Sequence, residues 1–435
     1  MSVKDRLQRL TGEKPQPEAQ TSNKDVINEL RRKIDAIMER RDRIESRPAF
    51  SRQGPVRALE EVITGEEVEN SYGRFYFCRN RFRSVDSHGR HLIGSLSSID
   101  MEAAGCLIAR SDLASLSITD ALFLDTETTG LAGGTGTFAF LIGLGWFEGD
   151  DFIVCQLFAR DFSEEQAMLG FLQEIAGSKR FLVTFNGRAY DMNLLAARYI
   201  LNRLHDPFPN MPHLDLLHPC RRLVGHRLEN SRLVTLEAGV LGFERYGDVP
   251  GYEIPQRYFD WLRRRDAGLM EDVFEHNRLD IISMAALLKH LTELLNGSDV
   301  GMAGHAADVL AAAGLHHDRG NLERARHFYG CLIQKADPFV SREAKRALSL
   351  MHKRADLWEE ASRIWEEMFA DNQYDLFAAE ELAKWLEHRR HDYARAAAIV
   401  QGILDDVPCL SEAEKESLRY RLNRLKDKLA KACTS

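Results

Sequence analysis

The residues of this chain best suited to chemistry are acidic. Asp125-Thr126-Glu127 closes the apolar run Ala121-Leu122-Phe123-Leu124. On a strand, side chains at i and i+2 share a face, so Asp125 and Glu127 can aim two carboxylates at one point. Two unpaired carboxylates held close are costly unless a cation neutralises them, and a divalent ion is the natural partner. A strand-end turn accounts for the same residues more plainly, because Asp, Thr and Gly are all turn formers. Asp191 follows the apolar run RFLVTF by one short turn and opens a helical pattern, where an acid also complements the helix dipole. Asn186 and Gly187 stand where the chain leaves that run and can bring amide or backbone groups to a substrate. In EDVFEHNRLDIISMAALLKHL, His276 and Asp280 are i and i+4, neighbours on one helix face. That pair also occurs as an ordinary helix salt bridge.

The elements that must position these residues follow from the periodicity. FAFLIGLGWF and DFIVCQLF are apolar runs joined by EGD, which predicts a hairpin. SEEQAMLGFLQEIAG reads as a helix opened by a capping box of Ser163 and Gln166. RFLVTF predicts a strand and YDMNLLAARYILN a helix, while Phe274, Ile281, Met284 and Leu288 form the apolar stripe of the His276 helix. The order predicts an α/β sheet that begins antiparallel and continues through crossovers. Upstream, Val26, Leu30, Ile34 and Ile37 have helical spacing among charges, and YGRFYFCRNRF alternates like a strand. Downstream the pattern is helical and repeats: Ala325, Ala361 and Ala396 recur near a period of 35 residues. That spacing resembles tetratricopeptide-type repeats in degenerate form. The divisions expected are a charged helix and linker over 1–46, an extension packed on the next domain over 47–118, an α/β domain over 119–297, and helical repeats over 298–435.

Taken in order, the DxE pair, the Asn…Asp strand-to-helix element and the His…Asp helix resemble the DEDD superfamily of 3′–5′ exonucleases, over roughly residues 119–292. The glycine-rich LAGGTGTFAFLIG and the later GYEIPQRYF resemble its YprB-like branch. The resemblance implies a ribonuclease H-like mixed sheet with flanking helices, followed here by an all-α repeat domain. It also implies that Asp125, Glu127, Asp191 and Asp280 hold metal and that His276 is the general base. Family members with a histidine carry it five residues before the last Asp, and those with a tyrosine four before; here a histidine stands at the spacing of four. The chemistry suits phosphodiester hydrolysis independently of the family. Two divalent ions about 4 Å apart activate the attack and stabilise the leaving oxygen. Four carboxylates suit Mg²⁺ or Mn²⁺, and a histidine with a pKa of about 6.5 can accept the attacking water's proton.

HPCRRLVGHRLENSR brings Arg221, Arg222 and Arg227, with Arg232 close behind, as candidate phosphate contacts. RYFDWLRRRD interleaves arginines with Tyr258, Phe259 and Trp261, and core aromatics are the plainer reading of those rings. Asp215 in HLDLLH is either an outer acid of the site or a buried structural one. LAGGTGT carries no lysine and is not a phosphate loop of the Walker type; a close-approach loop beside the metal site is expected. With 58 basic and 66 acidic side chains, a net charge of −8, the chain is not coated in positive charge, so nucleic acid needs a local basic groove. Seven cysteines without a CxxC pair argue against a disulfide framework or zinc finger. No apolar run is long enough for a membrane span, and the N-terminus lacks a secretory pattern, so a cytoplasmic protein is expected. The reading is a two-metal 3′–5′ exonuclease acting on single-stranded DNA or RNA ends, with a protein partner on the repeats. The rivals are a non-catalytic scaffold that binds nucleic acid and protein, and hydrolysis of a small phosphodiester.

Overall fold

A computed structural model describes residues 56–130, 136–297, 305–372, 375–407 and 410–433. The expected helix within residues 1–46 and most of the glycine-rich stretch, residues 131–135, lie outside them. The strands are β1 Glu66–Asn70, β2 Gly73–Phe82, β3 Ser87–His88, β4 His91–Leu92, β5 Ala121–Thr128, β6 Ala139–Glu148, β7 Asp151–Phe158, β8 Phe181–Thr184 and β9 His213–Asp215. Seven of them form one sheet in the order β1-β2-β7-β6-β5-β8-β9, and β3 pairs with β4 apart from it. β5, β6 and β7 are antiparallel neighbours, while β8 and β9 run parallel to β5. The hairpin closes at Gly149, whose φ of +63° supplies the left-handed position that a two-residue turn requires. The segment before β5, expected to pack against the sheet, contributes β1 and β2 to it.

The longer helices are α1 Met101–Ile108, α2 Glu165–Gly177, α3 Asp191–Leu201, α4 Leu217–Leu223, α5 Ile254–Arg264 and α6 Glu271–Asn296, then α7 Ala306–Asp318, α8 Leu322–Lys335, α9 Pro338–Arg354, α10 Trp358–Asp371, α11 Leu376–Trp385, α12 Tyr393–Asp406 and α13 Glu412–Cys433. Strand alternation sorts the core. Ala121, Phe123, Phe181 and Val183 face α1, α4 and most of α6. Leu122, Leu124 and Leu182 face α2 and α3 on the other side. One local expectation needs correcting. Ser163 does not cap α2: it lies in a 3₁₀ turn, Phe162–Glu164, whose own cap is Asp161 accepting from Ser163 N; α2 then starts without a side-chain cap, and Gln166 donates to Asn202 O instead.

The first C-terminal helices do not have a core of their own. Leu291 and Leu295 of α6 share one buried cluster with Val309, Phe328, Leu332, Ala344 and Met351 of α7, α8 and α9. A second cluster begins at Ala361 and Trp365 and runs to Leu425. Ala325, Ala361 and Ala396 are all fully buried, as small side chains must be where helices approach closely. Among the described residues no helix is long and apolar enough to cross a membrane, and Cys78, Cys106, Cys155, Cys220 and Cys331 are free thiols.

Candidate active site

β5 lies between β6 and β8: β8 pairs with it only through Phe123, and its Asp125–Glu127 end is held by β6 alone before the register shifts at Glu127/Thr128. Asp125 continues the Ala121–Phe123 face toward α6. That helix crosses β6 at two glycines. A Cβ on Gly143 would stand 2.3 Å from Asn277 Oδ1, and one on Gly145 2.5 Å from Ile281 Cγ2. The close approach lets Asn277, fully buried, donate from Nδ2 to Asp125 Oδ2 at 3.0 Å. Gln156 on β7 sets the amide's orientation by donating to Asn277 Oδ1 at 3.0 Å and to Phe274 O at 2.8 Å.

Asp191 is the first residue of α3, and Thr126 on β5 donates its hydroxyl to Asp191 Oδ1. The turn that delivers it is pinned by Asp215. This acid accepts from Asn186 N at 2.7 Å, Arg188 N at 3.1 Å and Leu217 N at 3.1 Å. Asn186 adopts φ +65° there, a conformation that asparagine tolerates better than most residues. Of the two readings of Asp215, these contacts support the structural one.

On α6, His276 and Asp280 face β5 together. His276 Nε2 lies 3.6 Å from Asp280 Oδ2 and 3.9 Å from Glu127 Oε1. Its Nδ1 lies 2.7 Å from Asp248 Oδ1, a contact that suits a donated Nδ1–H and turns Nε2 toward the acids. Arg245 donates to Asp280 Oδ1 and to both oxygens of the buried Glu237. Arg245, Asp248 and Asn277 were not singled out in the sequence. Asn277 carries a readable signal, a polar residue three after Phe274 and four before Ile281 in an apolar stripe.

The electrostatics are those of a site short of positive charge. Burial, then the Asp280 and Asp191 carboxylates, push Asp125 well above the ordinary carboxylate range. Burial, then Asp125 and Asp280, do the same to Glu127. Burial raises Asp191 to about 6 against the opposing hydrogen bond from Thr126. Burial disfavours charging His276, but Asp280 and the bond to Asp248 outweigh it and hold the imidazole above its usual value. Glu127, His276 and Asp280 each offer a ligand atom within 4.8 Å of the others, and Asp125 and Asp191 border them. Carboxylate oxygens are the donors that Mg²⁺ and Mn²⁺ accept. An ion there would also relieve the mutual repulsion, so the residues fit such a group.

A cleft of about 490 Å³ opens on Asp125 and Asp280 and is lined by Asn186, Arg221, Ser231 and Arg232. Among the described residues, neither Arg221 nor Arg232 has a carboxylate within ion-pair distance. The other two candidate arginines point elsewhere. Arg222 pairs with Asp318, and Arg227 lies against the buried Asp308 at 3.0 Å and donates to Gly239 O at 2.8 Å, so both tie α7 down. Tyr258 and Trp261 are core side chains, as the plainer reading has it, while Phe259 is partly exposed.

Residues 122–292 match the model of the RNase_H superfamily. The chain is similar to the uncharacterized protein YprB of Bacillus subtilis (strain 168): 34% identical over 313 residues, covering 70% of this chain and 74% of that protein.

Proposed function

This chain belongs to the family of Bacillus subtilis YprB and carries an RNase_H superfamily domain, and on that premise we propose that it is a metal-dependent 3′–5′ exonuclease of the DEDD type, acting on single-stranded ends of DNA or RNA. One observation carries the reading: three aspartates from three elements converge beside a histidine, each with one oxygen already fixed. Asn277 holds Asp125 Oδ2, Thr126 holds Asp191 Oδ1 and Arg245 holds Asp280 Oδ1. Such fixing sets the direction of the second oxygen, which is what an ordered metal site needs. Two bound Mg²⁺ or Mn²⁺ ions would supply charge neutralisation and polarise the phosphodiester.

The chain's own residues do the rest. Asp125, Glu127, Asp191 and Asp280 provide the negative cradle. His276 Nε2 accepts the proton of the attacking water, with Asp248 holding the opposite nitrogen protonated. Arg221, with Arg232, meets phosphates along the cleft, and Asn186 contacts the terminal nucleotide. Arg222 and Arg227 support that cleft by anchoring α7. The C-terminal helices, with buried alanines at a regular period, are assigned to tetratricopeptide-type repeats that bind a protein partner.

The test is incubation of the full chain with end-labelled single-stranded DNA and RNA in Mn²⁺, Mg²⁺ or EDTA. A ladder that shortens from the 3′ end, abolished by EDTA, is expected. Tight Mn²⁺ binding without hydrolysis of either strand would favour the scaffold reading.

A further inference from the structure

Arg245 follows a turn at Gly242 and is joined to α5 by a loop, and nothing in its local sequence marks it. Its side chain is only 2% exposed, yet it spans three carboxylates. It donates from Nε to Glu237 Oε2 at 2.7 Å, from Nη2 to Asp280 Oδ1, and approaches Asp248 Oδ2 at 3.4 Å. Glu237 is fully buried and is steadied from behind by the Ser283 hydroxyl, which lies 2.7 Å from His88 Nε2 at the β3–β4 hairpin. A planar guanidinium held this way cannot turn without breaking several charge-assisted hydrogen bonds. It is a fixed positive charge, present before any ion arrives.

We propose that Arg245 is a positioning residue that sets both the geometry and the cation affinity of the acidic site. It fixes Asp280 by one oxygen, so that the other faces His276 Nε2. Its own charge, beside Asp280, opposes the binding of a further cation. The two effects pull in opposite directions. Loss of the guanidinium makes the site more negative, so a divalent ion binds more tightly. It also frees Asp280 and His276 from their fixed geometry, so turnover slows. A residue that only held the fold together would not separate the two. The inference rests on the metal-dependent reading above, but its primary measurement is metal affinity rather than hydrolysis.

The experiment is calorimetric titration of the full chain with Mn²⁺, beside turnover of an end-labelled oligonucleotide. Arg245→Met is expected to bind Mn²⁺ on the order of tenfold more tightly while turning over roughly 10–100-fold more slowly. Arg245→Lys keeps the charge without the fork, so its Mn²⁺ affinity stays near that of the unaltered chain while its turnover remains low. Glu237→Gln leaves the Arg245 charge less offset and is expected to weaken Mn²⁺ binding severalfold; being nearly isosteric, it decides the matter if Arg245→Met does not fold. Unchanged Mn²⁺ affinity in Arg245→Met, or in Glu237→Gln where that variant must decide, overturns the proposal. Failure of the unaltered chain to bind Mn²⁺ at all overturns the metal-dependent reading itself, a result told apart from the first.

Discussion

Two buried acidic centres in this molecule have opposite surroundings. Glu387, fully buried just after α11, accepts from Arg424 at 2.8 Å, Lys428 at 2.9 Å and Arg421 at 3.1 Å. Burial disfavours its charge, but those cations more than offset it and hold the carboxyl down at about 2. The Asp125–Asp191–Asp280 group has more acids and a single arginine, Arg245 on Asp280, and the carboxyls of Asp125 and Asp191 are displaced upward. An acid given its own cations is complete as built and fastens α13 to the rest. Acids left short of cations store repulsion that a ligand can relieve. The contrast separates a self-neutralised charge cluster from the candidate site without reference to family.

The largest test removes one acid from the deficient group. Asp125→Asn is expected to bring hydrolysis below detection while raising the melting temperature of the metal-free protein, and to shrink the rise that Mn²⁺ produces. An equal Mn²⁺ rise in both proteins would show that Asp125 is not a ligand. Next, His276→Ala is expected to lose about 10²–10⁴-fold in rate and to keep Mn²⁺ binding by calorimetry; near-normal turnover would make the histidine structural. On the other side of the comparison, Glu387→Gln strips the cation-rich centre of its charge. It should cost about 1–3 kcal/mol in chemical denaturation and leave turnover of a short oligonucleotide unchanged.

The two centres should also answer pH in opposite senses. Asp191 is raised from 3.8 to about 6, so its contribution to stability is full below 3.8 and is lost as pH rises through about 6. Glu387 is lowered from 4.5 to about 2, so its contribution is full above 4.5 and is lost as pH falls toward 2. In EDTA, melts at about pH 5 should therefore exceed those at about pH 7 by a few degrees, and saturating Mn²⁺ should erase the gap. A gap that survives Mn²⁺ would place its origin outside the site. The smallest effect concerns Arg221. Its replacement by alanine should flatten the slope of log affinity against log salt by about 0.7, one phosphate contact on a single strand. An identical slope would remove it from the substrate path.

What could be read in the sequence was whatever is local. β5, β6 and β7 are continuous apolar runs, and Asp125/Glu127 and His276/Asp280 are pairs whose spacing alone puts them on one face. What could not be read depends on contacts without periodicity. Asp248 reaches His276 across 28 positions from a loop, and Arg245 reaches Asp280 across 35. Arg221, Arg222 and Arg227 look alike in the chain; only the location of Asp318 and Asp308 on α7 distinguishes the one that faces the cleft. The capping box expected for α2 is absent because a 3₁₀ turn precedes the helix, takes up Ser163 and is itself capped by Asp161.

The core shared by α6 with α7, α8 and α9 has a consequence for the order in which the molecule is made. His276 and Asp280 sit near one end of α6, and the other end buries Leu291 and Leu295 against side chains as late as Met351. On the ribosome the acids of the site emerge well before the apolar surface that seats their helix. At synthesis rates of about 5–20 residues per second, the interval is on the order of ten seconds. Until α7 emerges, that end of α6 lacks the helix that covers it, although the rest of α6 already rests on β5, β6 and β7. A nascent chain therefore carries every residue of the candidate site some seconds before the apolar core that seats the far end of α6 is complete.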